Sequence, residues 1–208
     1  MFARLALNSN ATMMPFYLIT VTKFQPLEGL NISPEIALVP LITYISSLLF
    51  TLFAQKPLTQ HYANRFIPML MSLGVTTLGA LPLLFIDENT RWFVLPCAAL
   101  IGLGLALMLN TGTSLISDVL GNDVKSAAFV YGAYSLLDKF ANGFLLYWLV
   151  AAYATDEQAL PYIISLVPIL SALGTTIVTF IGIKLYASKL QKISVGSMIV
   201  KKKPIKTN

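Results

Sequence analysis

Residues 92–116 read WFVLPCAALIGLGLALMLNTGTSLI. Not one of these positions is Asp, Glu, Lys, Arg or His. A membrane-spanning helix needs about 20 consecutive, predominantly apolar residues, and this stretch exceeds that. The rest of the chain is of the same kind. Of 208 residues, 56% are hydrophobic and 11% are charged, whereas soluble domains carry about 25% charged residues. The solvent for most of this chain is lipid, so the bilayer is its first partner.

Working outward from 92–116, five more runs qualify, giving segments at 2–22, 35–55, 66–86, 92–116, 124–151 and 160–187. Short polar stretches separate them. Strands of a membrane β-barrel would be about 10 residues long with alternating polarity, and these runs are too long and too evenly apolar for that. The expected fold class is all-α integral membrane, a six-helix transmembrane domain over 1–187 followed by a basic tail over 188–208. The first segment is interrupted by Arg4, Asn8, Ser9, Asn10 and Thr12. A signal peptide needs a clean apolar centre, so this segment reads as a retained helix with a polar face.

Positive charge marks the cytosolic side. One set of connections holds Arg4, then Lys56 and Arg65, then Lys125, then a tail in which seven lysines lie from Lys184 onward. The opposite set holds Lys23, then Arg91 beside Asp87 and Glu88, then Asp156 and Glu157. Both termini are therefore expected in the cytosol. The net charge of +5 is concentrated in the tail, which reads as a membrane-surface anchor and not as a nucleic-acid interface. A lone cysteine, Cys97, and a lone histidine, His61, are too few for a thiol cluster or a zinc site. Neither a metal nor a cofactor is expected. Asn10-Ala11-Thr12 and Asn31-Ile32-Ser33 match the glycosylation pattern. The first lies inside a span and the second hugs the membrane before Pro34, so both are expected unmodified.

Polar residues inside spans are costly and default to functional hypotheses. In the fifth segment, Tyr131, Ser135, Asp138 and Asn142 fall near one face at helical spacing. Lys139 is adjacent, about 100° round the helix, so Asp138 and Lys139 serve different surroundings. The stripe reads either as a solute or coupling-ion site on a water-filled cavity, or as a structural charge pair. The first segment carries a matching stripe, Arg4, Asn8 and Thr12, with Pro15 expected to loosen the backbone. In the fourth, Asn110, Ser114 and Ser117 share a face, while Ala98, Gly102 and Ala106 form a ridge of small residues suited to close helix contact. Ala128 and Gly132 read as a weaker ridge of the same kind.

The stretch Thr113-Ser114-Leu115, Asp118-Val119-Leu120-Gly121, Ala128-Phe129-Val130-Tyr131-Gly132 and Leu137-Asp138-Lys139-Phe140-Ala141-Asn142-Gly143 resembles helices ten and eleven of the family of major facilitator superfamily domain-containing protein 12. That family sits among the relatives of the glycoside–pentoside–hexuronide:cation symporters. Arg4-Leu5 with Asn8 resembles its seventh helix, and the basic loop at 56–65 loosely resembles the loop between helices eight and nine. The resemblance implies the C-terminal six-helix half of a secondary transporter. It further implies a lysosomal or melanosomal setting, with the plasma membrane as the alternative, and cysteine as the associated substrate. In the symporter relatives a helix-eleven lysine lies at the substrate and cation site, and Lys139 occupies the corresponding place.

The expected function is alternating-access transport of a small polar solute, with a coupling proton or sodium ion. Arg4, Asn8, Thr12, Asn110, Ser114, Tyr131, Ser135, Asp138, Lys139 and Asn142 are the expected binding residues. The chain opens directly on its first span, so the N-terminal half or a second copy is the expected protein partner. The competing reading is a non-transporting assembly module or a truncated fragment. An intramembrane enzyme is not expected: within the spans, Ser135 and Lys139 form the one Ser–Lys pair at helical spacing, and no span holds a histidine.

Overall fold

The computed structural model describes residues 2–24, 34–54, 58, 66–120 and 124–201, with side chains undescribed at 118–120, 124–127 and 186–201. The predicted basic loop at 56–65 apart from Leu58, the Asn31-Ile32-Ser33 motif, and the side chains of Asp118, Lys125 and the tail lysines lie outside the described residues.

Six long helical stretches follow one another, as the apolar runs require. They are α1 (Phe2–Thr20), α2 (Glu35–Leu49), α3 (Phe66–Ala80), α4 (Val94–Leu120), α5 (Val124–Tyr153) and α6 (Ala159–Lys201). A π-helical turn, Phe50–Ala54, extends α2, and a 3-10 turn, Leu81–Phe85, extends α3. A second 3-10 segment, Glu88–Phe93, leads into α4. Its start is closed by a capping box, in which the Asp87 side chain accepts from the Thr90 backbone and the Thr90 hydroxyl faces the Asp87 N–H. The helix α1 runs unbroken through Pro15.

Among the described residues, four stretches are long and apolar enough by length and composition to cross a bilayer: Glu35–Ala54, Phe66–Phe85, Glu88–Ser117 and Ala159–Leu185. The helices α1 and α5 fall short, because Arg4, Asn8, Asn10, Asp138, Lys139 and Asn142 dilute their hydropathy. The sixth helix, in turn, continues well past residue 187. Its 43 residues span about 65 Å at 1.5 Å per residue, roughly twice the hydrocarbon thickness. The first part of the predicted tail is thus helical.

The core lies where α1, α3, α4 and α6 meet. Met13, Met14, Tyr17 and Leu18 of α1 are buried with Met69, Ile101, Leu105, Met108, Leu160 and Ile164. The Tyr17 hydroxyl donates to the Leu83 carbonyl at 2.9 Å, giving a partner to a buried phenol. The helix α4 packs on both α2 and α3, and α6 packs on α1 and α3. Close approach of α4 depends on glycine. A methyl group at Gly102 would overlap the Thr43 carbonyl and the Ser46 hydroxyl of α2, and one at Gly104 would overlap Thr76 of α3. Ala98 and Ala106 are buried on the same helix, so the predicted ridge is a packing surface. The Ala128/Gly132 ridge is different: both residues are exposed, and nothing lies within 4 Å of a methyl group built at Gly132.

The helix α5 is the outlier. Its main helix contact is α1, and Phe129, Leu136, Phe140, Phe144 and Tyr147 are all exposed on it. In lipid such a face incurs no hydrophobic penalty, so what holds α5 is packing and hydrogen bonding.

Candidate functional site

The seam between α1 and α5 is built from the two polar stripes. Arg4 Nη1 lies 3.2 Å from Asp138 Oδ2. One turn further on, Asn8 Nδ2 donates to Asn142 Oδ1 at 3.2 Å. Both pairs have the same sequence separation of 134, so α1 and α5 run parallel and in register. Asn142 Nδ2 donates in turn to the Asp138 carbonyl at 2.7 Å and to Asp138 Oδ1 at 3.3 Å. The donors form a directed chain, Asn8 to Asn142 to Asp138, with Arg4 arriving from the other side. Such a chain polarises itself toward the carboxylate.

Burial is unequal across the ion pair. The Asp138 side chain is 4% exposed and that of Arg4 is 40% exposed. The guanidinium also sits over the Tyr134 ring, 5.5 Å from its centroid, a cation–π contact that supports it on its apolar side. Asp138 lies 15 residues before the end of α5 at Tyr153, roughly 22 Å along the helix. The pair therefore lies near the middle of α5.

Lys139 faces elsewhere. It is exposed and makes no ion pair among the described residues, whereas Asp138 is paired with Arg4. Tyr131 is exposed, Ser135 is half-buried, and Thr12 is half-buried on α1 two turns beyond Arg4. Asn110 does not join this cluster. Its Nδ2 donates to Thr51 Oγ1 at 3.0 Å, tying α4 to the π-helical turn of α2. Ser114, one turn along α4, is half-buried. Two participants escape a reading of stripes. Tyr134 looks like ordinary aromatic packing, although its position four residues before Asp138 was a usable signal. Thr51 lies at the end of an apolar run, and nothing local in the sequence distinguishes it.

Comparison with known proteins gives one consistent match. The chain is 34% identical to human major facilitator superfamily domain-containing protein 12 over 146 residues, which is 69% of this chain and 28% of the human protein. The horse protein of the same name is 33% identical over 144 residues, again 69% of this chain and 28% of its own length. The mouse protein is 35% identical over 111 residues, 52% of this chain and 22% of the relative. The chain thus matches under a third of each relative's length. No protein-family model matches it, and no solved structure matches it.

Proposed function

We propose that this chain, a homologue of major facilitator superfamily proteins, forms the C-terminal six-helix wall of a secondary transporter that moves a small polar solute by alternating access. All six helices would cross the bilayer in this reading, including α1 and α5. Arg4, Asn8, Asp138 and Asn142 face one another across the seam, which is how ionisable side chains survive in a membrane. The single observation that carries the proposal is the in-register seam, in which a buried carboxylate is held by Arg4 and Asn142. Bilayer helices carry such groups at solute or ion pathways, and rocking of one bundle against another opens such a pathway alternately to each side.

Roles follow from position. Lys139, exposed beside the seam, would hold a solute carboxylate, with Tyr131 and Ser135 as hydrogen-bonding neighbours. The Arg4–Asp138 pair would be the element a coupling cation or proton must open, because Arg4 already neutralises the carboxylate. The distribution of basic residues supports cytosolic termini. The family resemblance supports an amino acid such as cysteine as the solute and a lysosome-related organelle as the site. The exposed faces of α2 and α5 support a protein partner, either an N-terminal half or a second copy. A non-transporting assembly module is the second reading, favoured by the breadth of those same faces. Uptake into vesicles by the full-length transporter carrying Lys139→Ala tests the proposal. Loss of uptake at normal expression is expected, and uptake at the unmodified rate would sink it.

A further inference from the structure

Asn10 stands apart from the seam. It lies on α1 two residues beyond Asn8, so it faces a different neighbour. It is 4% exposed, and its Nδ2 atom has no hydrogen-bond partner among the described residues. An amide buried in an apolar setting without a partner is strongly disfavoured, and a leucine of similar size would pack there without that cost. The surroundings answer the question of what the amide is for. A cavity of about 10 Å³ lies between α1 and α2, and Asn10, Ala11, Leu7, Met14, Pro40 and Thr43 are among the residues that line it. That is close to the smallest space that holds one water molecule.

The same cavity gathers further polar groups. Pro15 has no N–H to give the Ala11 carbonyl four residues earlier, so that carbonyl loses its helical donor. The Thr43 hydroxyl donates to the Val39 carbonyl at 3.1 Å, which leaves its oxygen able to accept. The residues lining this space thus carry an amide donor, a hydroxyl and a carbonyl without its helical donor. No carboxylate lines it, so a dehydrated cation would have nothing to balance its charge in a largely apolar shell.

We infer that Asn10 holds a single internal water that accepts from its amide and donates to the Ala11 carbonyl and the Thr43 hydroxyl. The water forms a hydrated joint between two helices that each carry an internal proline, Pro15 in α1 and Pro40 in α2. A bridge made through water can break and re-form as the helices shift, which a direct side-chain contact does less readily.

The test uses the full chain in lipid nanodiscs. Solid-state NMR of the Asn10 side-chain amide should show magnetisation transfer from a slowly exchanging water. A stability cycle gives an independent readout. Asn10→Leu and Thr43→Val share the water as a partner, so their effects on the unfolding equilibrium constant should couple by at least several-fold. An Asn10 amide with no water transfer overturns the inference. So does an additive pair of substitutions. Stabilisation by sodium chloride but not by choline chloride, lost in Asn10→Leu, also overturns it, because the occupant would then be a cation.

Discussion

Removing Arg4 takes from Asp138 its arginine partner, and the consequence can be sized from the geometry. Deleting one member of a buried ion pair typically costs about 3–5 kcal/mol, because the other charge stays buried. Two features of this pair reduce the figure. The Arg4 side chain is 40% exposed, so water already screens part of its attraction, and Asn142 stays on the carboxylate at 3.3 Å after the arginine is gone. Arg4→Ala is therefore expected to destabilise the chain by about 2–3 kcal/mol, or roughly 30- to 150-fold in the unfolding equilibrium constant. The loss should concentrate in α5, whose main helix contact is α1. Reversible unfolding of the purified chain in mixed micelles measures the total, and amide exchange in α5 locates it. The control is a charge-free seam. Arg4→Met combined with Asp138→Leu removes both charges and should return stability to within about 1 kcal/mol of the parent. An Arg4→Ala chain within about 0.5 kcal/mol of the parent would refute this reasoning. A double variant as unstable as the sum of its two singles would refute it equally.

Other substitutions separate packing from polar bonding. Gly102→Ala should cost about 1–3 kcal/mol by pushing α4 off the Thr43 carbonyl, whereas Gly132→Ala, with open space around it, should change stability by less than about 0.5 kcal/mol; thermal unfolding of both variants checks the contrast. Asn110→Ala removes the bond to Thr51 at 3.0 Å and should cost about 0.6–1 kcal/mol, the range for interhelical hydrogen bonds in membranes, measured in the same assay. Tyr17→Phe leaves the buried Leu83 carbonyl without its phenol donor and should cost about 1–3 kcal/mol, with faster amide exchange near the end of α3. Lys139→Ala should leave unfolding unchanged within about 0.5 kcal/mol, since an exposed lysine with no ion pair among the described residues holds nothing in place; a large loss of stability would make it a structural residue.

The sequence made the helices legible and left their neighbours obscure. Long apolar runs at 35–55 or 92–116 admit only a helix in lipid, so element order was readable. Helix ends were less so: α4 continues to Leu120 and α6 to Lys201, because charged residues do not end a helix that projects beyond the bilayer. Periodicity placed Arg4 and Asn8 on one stripe and Asp138 and Asn142 on another. It gave no way to show that the two stripes meet at a common offset, since a stripe reports a face and not the helix opposite it. For the same reason the stripe holding Asn110 gave no sign that its amide bonds to Thr51, in the π-helical turn that extends α2. The ridge at Gly102 and the one at Gly132 have the same spacing in sequence. Only one has a neighbouring helix packed on it among the described residues, and spacing carries no information about that.

The central claim is that the exposed side of the α1–α5 seam opens on water and solute, not on lipid. A full-length transporter with Cys97→Ser and Lys139→Cys puts one thiol there for a membrane-impermeant maleimide. The account predicts labelling in intact membranes and protection by the transported solute. A thiol at position 139 that reacts only after detergent is added, or whose labelling no transported solute changes, would contradict it.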